Sequence, residues 1–219
     1  MGLNEKRKIS IVGGHFEDIV LYLIRIIQNL GYKTVVCDHT CGHRIYPLIP
    51  HLQGIEPSDT VLDYRGIGYT FGNGDRQGKS AELESSDCIV KLYDISGYVS
   101  EDEPCIFITD ESRRNLDLLN TLDIKGESMM IVKDYTGIGA KRTGLIAEKF
   151  NCRKVFAIPY NIKDRKNAVK TEYSDIYRFD SVSGEMEKLL HETVLFIFPE
   201  TDGKALKKAY SRASKGGIV

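Results

Sequence analysis

The chain has 219 residues, of which 42% are apolar and 28% charged, with a net charge of −1. That length suits a single domain with enough apolar residue for a real core. The near-neutral balance excludes a global basic field for nucleic acid and an acidic tail. Short apolar, β-rich runs then recur along the chain, at 8–13, 33–38, 87–94, 104–110, 128–134 and 154–159, with a shorter candidate, LFIF, at 195–198. They are apolar on both faces, as buried parallel strands are. Helical patterns lie between them at 17–31, 112–122, 141–150 and 185–193. The alternation predicts an α/β fold, a three-layer, mostly parallel twisted sheet flanked by helices. The expected organisation is one domain over 1–200 and a basic tail or helix over 201–219.

The opening MGLNEKRKIS passes from charge straight into a strand, without the apolar centre of a signal peptide. No apolar run reaches the roughly 18 residues of a membrane span, because Arg25 and Gln28 interrupt the longest. Five cysteines, an odd number without framework spacing, read as reduced thiols of a cytosol. A cytoplasmic protein is expected. The helix at 17–31 is apolar almost all round, so it should be largely buried, with Gly31 as its stop. Between 39 and 86 the pattern dissolves into Gly, Pro, Asp and Tyr, an excursion of the length that usually carries function.

Ligands of open α/β sheets sit at the carboxyl ends of the strands. After the first strand stands Gly13-Gly14-His15-Phe16-Glu17-Asp18. The glycines permit a tight turn and close approach. A nucleotide triphosphate there needs backbone N–H groups, normally with a Lys and a hydroxyl for Mg²⁺. Glu17 and Asp18 favour the helix through its dipole but would repel a phosphate; ordinary capping is the plain alternative. The GKS of GNGDRQGKS (72–80) misses phosphate-loop spacing, since Gly72 and Gly74 lie five and three residues before Gly78. Cys37, His39, Cys41 and His43 alternate as if for a metal, yet an extended chain would spread them over roughly 20 Å, so a strand end entering a site loop is favoured. Asp38, Asp94, Asp110 and Asp134 each close a strand-like run and together suggest an acidic, cation-friendly rim. The tail carries Lys204, Lys207, Lys208, Arg212 and Lys215 around a weak apolar face of Leu206, Ala209, Tyr210 and Ala213, which reads as a solvated helix.

In the order of these landmarks the chain resembles the MinD/ParA group of deviant P-loop ATPases, and especially its degenerate TadZ/CpaE-like members associated with pilus assembly. Gly13 to Asp18 replace the family's GGxGKT-type loop. VVCDHT keeps the first acid of the D-x-D motif as Asp38, the water-activating position, with Thr40 for the second. LYDISG answers the switch motif D-x-P-x-G with Asp94, Ser96 and Gly97. Lys133-Asp134 stand for the Asn-Arg pair near adenine, and Ile158-Pro159-Tyr160-Asn161 for the IP-x-D segment. The resemblance covers the chain to about residue 193. It implies a nucleotide site of Gly13, Gly14, His15, Phe16, Glu17, Asp18, Ile19, Asp94, Gly97, Lys133, Asp134, Pro159 and Tyr160, with Asp38 catalytic only in an active enzyme. ATP or ADP with Mg²⁺ are the cofactors implied, a homodimer the expected assembly, and proteins of a pilus or secretion apparatus the expected partners.

Without the loop lysine and hydroxyl, the expectation is a localisation or scaffold factor that has lost ordinary ATPase activity. Two other readings stand beside it. One is an active hydrolase whose phosphate cation comes from Lys33, Lys79 or a partner subunit. The other is a small-molecule enzyme on a Rossmann-like sheet, with the Cys/His cluster as its site.

Overall fold

A computed structural model describes residues 6–49, 60–71, 81–100, 102–124, 126–174 and 177–217. Among the described residues an eight-stranded sheet runs in the order β3-β4-β2-β5-β1-β6-β7-β8. Its strands are β1 (Arg7–Gly13), β2 (Thr34–Asp38), β3 (Leu62–Tyr64), β4 (Ile67–Thr70), β5 (Cys88–Tyr93), β6 (Cys105–Thr109), β7 (Ser128–Val132) and β8 (Cys152–Ala157). All neighbours pair in parallel except β3 with β4. That hairpin turns at Arg65 and Gly66, both at positive φ (+56° and +76°), the conformation a tight hairpin turn requires.

The helices are α1 (Glu17–Asn29), α2 (Ala81–Glu84), α3 (Arg113–Asn120), α4 (Ala140–Lys149), α5 (Ile162–Glu172), α6 (Gly184–Ile197) and α7 (Gly203–Ser214). One face of the sheet packs with α1, α6 and α7 through residues such as Ile11, Ile24, Leu190 and Leu206. The other packs α3 and α4 through Val12, Phe107, Leu116 and Ile146. Alternate residues of each strand supply the two layers, as the two-residue period of a strand demands.

Helix α1 is buried from Ile19 to Asn29. Two of its three buried polar residues, Arg25 and Gln28, are tied to one another and to a neighbouring turn. Arg25 Nη1 donates to Gln28 Oε1 at 2.9 Å, and Gln28 Nε2 to the Arg65 carbonyl at 2.6 Å, tying α1 to the β3–β4 turn.

Three details differ from the sequence reading. LFIF is the end of α6 and the residue after it, not a strand; the buried spacing of Met186, Leu189, Leu190, Val194 and Ile197 is helical. β8 is an exposed sheet edge carrying Arg153 and Lys154, charges that discourage edge-to-edge pairing. Helix α7 exposes its lysines but buries Leu206, Ala209 and Ala213 against α1, so it is solvated on one side only.

β1 lies between β5 and β6. The chain leaves it first for β2 on one side and later builds β6, β7 and β8 on the other. This reversal opens a crevice at the carboxyl end of β1, where ligands of such sheets bind.

Candidate functional site

At the end of β1 the chain presses against β6. Gly13 has φ +150°, and a Cβ there would lie 1.8 Å from the Ile108 carbonyl oxygen. The Gly14 N–H donates to that same oxygen at 3.2 Å. His15 follows at φ +56°, exposed, and the buried Phe16 is the N-cap of α1 with no side-chain cap hydrogen bond. By contrast α3, α5, α6 and α7 are capped by Ser112, Asn161, Ser183 and Asp202. Glu17 and Asp18 lie in the first turn of α1, and Asp18 Oδ1 accepts from the Ile19 N–H at 2.9 Å. A tight glycine turn thus leads into an α1 N-terminus without a side-chain cap, with two carboxylates beside it.

Each of these acids meets a cation from elsewhere in the chain. Arg44 Nη2 is 2.8 Å from Asp94 Oδ1, and its Nη1 is 3.6 Å from Glu17 Oε1. The guanidinium also sits 5.6 Å over the Phe16 ring. A Cβ on Gly14 would come within 3.5 Å of Arg44 Nη1, so the guanidinium lies against the loop itself. On the other side Lys133 Nζ, at the end of β7, donates to the His15 carbonyl at 2.7 Å and to Asp18 Oδ1 at 2.8 Å. Lys133, His15, Glu17, Asp18 and Arg165 line a cleft of about 270 Å³. Two of the cations here, Arg44 and Lys133, are thus already bound to the chain's own carboxylates before any ligand arrives. A bound phosphate must displace a carboxylate from a charge-assisted hydrogen bond, the stronger class of such bonds.

Asp38 anchors the turn that carries Arg44. It is fully buried, and its carboxylate accepts from Thr40 N–H (3.0 Å), Thr40 Oγ1 (2.6 Å) and Ile45 N–H (2.8 Å). Thr40 Oγ1 in turn accepts from the Arg44 N–H at 2.9 Å. With its oxygens spent on the 40–45 turn, Asp38 is a pin for the arginine loop in this arrangement.

The expected acidic rim is not one site, because each aspartate serves its own turn. Asp94 accepts from the Cys41 N–H at 2.6 Å besides pairing with Arg44. Asp110 accepts from Ser112 N–H and Asn115 Nδ2. Partial burial pushes its carboxyl up, but these hydrogen bonds outweigh that and hold it below the usual range. Asp134 is exposed at φ +52°. Among the described residues no three His, Cys, Asp or Glu group as a metal site would. Cys37 packs with Val35, Leu83 and Ile89, His39 stacks on Tyr93, Cys41 is exposed, and His43 Nδ1 contacts the Asp38 carbonyl. The side chains of CDHTCGH therefore diverge.

Of the remaining candidates, Ile19 is in the core, Gly97 closes a short turn with Asp94, and Pro159 and Tyr160 are exposed outside the cleft lining. Lys33 lies at the opposite, amino end of the strands, where its Nζ donates to Ser85 Oγ. The GKS segment with Lys79 lies outside the described residues. Sequence reasoning missed Arg44, which had no motif to mark it. It also missed Glu111, whose carboxylate accepts from Thr136 N–H and Oγ1 (2.5 and 2.7 Å), Gly137 N–H (3.0 Å) and Gly139 N–H (2.9 Å) before α4.

The Aquifex aeolicus MinD cell division protein superposes with TM-score 0.60 at 14% identity, covering 90% of this chain and 98% of that one. The fold is of the MinD/ParA type. A Borrelia burgdorferi protein described as a plasmid partition protein, bound to AMPPNP, follows at TM-score 0.53 and 10% identity, covering 90% and 99%. A chain of the A. aeolicus MinC:MinD complex matches at 0.50 and 14%, covering 94% and 95%. No family model matches the sequence, and neither does any curated protein. Within this MinD/ParA-type fold the GGHFED loop occupies the β1–α1 turn. Among the described residues no helix is long and apolar enough to cross a membrane.

Proposed function

We propose that the chain is a degenerate MinD/ParA-like protein without ordinary ATPase activity. It acts as a localisation or scaffold factor, in pilus or secretion-system assembly, and works as a homodimer. One observation carries the loss of activity: the cations at the β1–α1 loop are bound to the chain's own carboxylates, Arg44 to Asp94 and Lys133 to Asp18. The residues present fit a Mg²⁺-bound triphosphate poorly. No lysine or hydroxyl stands in the loop between Gly14 and Ile19, and Asp38 is committed to the 40–45 turn. The fold-level likeness to a MinC:MinD complex supports a role through protein partners.

The test is turnover. Purified protein should show no Mg²⁺-dependent ATP hydrolysis above background, and steady turnover that follows the protein through purification would overturn the proposal. Light scattering tests the dimer, and a monomer at all concentrations with and without ATP would remove it.

A second reading rests on the same two cations. Arg44 and Lys133 already reach the loop, and the likeness to a protein bound to AMPPNP supports ATP or ADP as ligand. Calorimetric titration with ATP and ADP in Mg²⁺ separates the two. Micromolar binding lost on Lys133→Ala, together with turnover, favours a hydrolase with a non-standard phosphate loop.

A further inference from the structure

Helix α5 is turned inside out. Its buried residues are Asp164, Asn167 and Thr171, held by polar contacts rather than apolar packing. Asp164 accepts from Ser183 N–H and Oγ, both at 2.6 Å. Asn167 Oδ1 accepts from Ser181 Oγ at 3.1 Å, and Thr171 Oγ1 lies 3.4 Å from Tyr22 Oη. The large apolar side chains point the other way: Ile162 is 54% exposed, Val169 36% and the C-cap Tyr173 86%. At 3.6 residues per turn these three fall within about 40° of one another around the helix axis. They form one outward stripe; Tyr160, just before the helix, is also exposed, at 61%. A surface helix ordinarily directs its apolar stripe to the core and its polar face to water.

The stripe is bordered mainly by positive charge. On the same geometry Lys163, Lys166 and Lys170 lie to one side, Lys166 nearest the stripe, and Arg165, which also lines the β1–α1 cleft, lies to the other. All four are exposed, and none has an ion-pair partner among the described residues. Glu172 is the lone exposed acid of the helix. Beside the stripe, Val169, Lys170, Tyr173 and Arg178, with Asp180, line a groove of about 540 Å³.

Three occupants could cover such a face. A second copy through the same face would set four cations against four. A lipid surface needs a broader run of bulky apolar residues than one Ile, one Val and two Tyr. An amphipathic helix with apolar residues at matching spacing and acids on its flanks meets both the stripe and its border, as in helix docking by i, i+4 and i+7 anchors. We propose that the outer face of α5 docks an acidic amphipathic helix of a partner protein. This goes beyond the scaffold reading and does not depend on the state of the β1–α1 loop.

The probe is a synthetic helical peptide with Leu on one stripe and Glu on its flanks, titrated by fluorescence anisotropy into the full chain. A control peptide carries Ala for each Leu. The Leu peptide should bind and the Ala peptide should not. Affinity should fall at least tenfold in Ile162→Ser/Val169→Ser/Tyr173→Ser and in Lys163→Glu/Lys170→Glu. Hydrogen exchange on the unsubstituted protein should show peptide-induced protection at 162–173, which tests the proposal without any variant. Equal binding of both peptides, protection elsewhere, or undiminished affinity in a folded triple variant overturns it. So does binding to phosphatidylserine vesicles that the triple variant loses while the peptide fails to bind, which assigns the face to a membrane. A dimer that the triple variant dissociates overturns it in favour of a second copy.

Discussion

Replacing Asp94 by Asn should convert the self-occupied loop into a better phosphate site. In the native chain Asp94 Oδ1 holds Arg44 Nη2 at 2.8 Å and Oδ2 takes the Cys41 N–H at 2.6 Å. Asparagine can keep an oxygen on the Cys41 N–H, so the turn stays anchored, but the charge opposing a phosphate is gone. A hydrogen bond to a charged group contributes about 1.5–3 kcal/mol net, and Asp94 is only 18% exposed, so solvent screens little of it. At about 1.4 kcal/mol per tenfold, Asp94→Asn should tighten binding of ATP or pyrophosphate about tenfold to a hundredfold. Asp18→Asn should act in the same direction through Lys133, which it holds at 2.8 Å. Isothermal titration calorimetry in Mg²⁺ reads the change, and Arg44→Ala in the Asp94→Asn background should erase it. If both single variants stay folded and bind ATP no better than the native chain, the idea that internal ion pairs occupy the phosphate position is wrong.

Gly13→Ala should lower stability by at least about 3 kcal/mol, since its Cβ would strike the Ile108 carbonyl and force β1 and β6 apart. Gly31→Ala, at φ +96° with nothing within 4 Å, should cost about 1 kcal/mol in the same urea titration, and equal losses would refute the close approach. Glu111 titrates below the ordinary glutamate value of 4.5, because the hydrogen bonds from Thr136, Gly139 and Gly137 outweigh the opposing effect of desolvation. The folded value is depressed, so its contribution is full above the ordinary value and lost as pH falls through the folded one. NMR signals of the Gly137 and Gly139 amides should therefore move only in acid, and in Glu111→Gln they should be shifted already at neutral pH; amides indifferent to both would sink the assignment. Burial pushes the Cys37 and Cys88 thiols up to about 12 and that of Cys105 higher still. Ellman's reagent should accordingly label the exposed Cys41 first and reach those three only on unfolding.

The parallel core of the sheet was legible because β1, β2, β5, β6 and β7 are buried on both faces and so read as continuous apolar runs. The β3–β4 hairpin was not. Its strands span three and four residues, too short for a period to register, and its one signal was the Arg-Gly turn. LFIF misled because four apolar residues fit a strand or a buried helical turn equally well. At the site, the glycine turn and the acids of α1 could be read directly, since both are local. The cations that answer them could not: Arg44 and Asp94 are fifty residues apart, and Lys133 reaches Asp18 across the sheet from β7. Lys133 carried a family position near adenine, yet its ammonium is bonded to the loop.

The burial of α1 sets an order on how the chain must fold. Helix α1 is apolar almost all round, and the helices that pack against it, α6 and α7, begin only at Gly184, far along the chain from its end at Asn29. Until residues 184–214 emerge, much of that surface has only the partly built sheet to rest on. Native assembly is therefore tied to contacts between distant parts of the chain, which slow folding and leave a sticky helix exposed to chaperones and to other nascent chains.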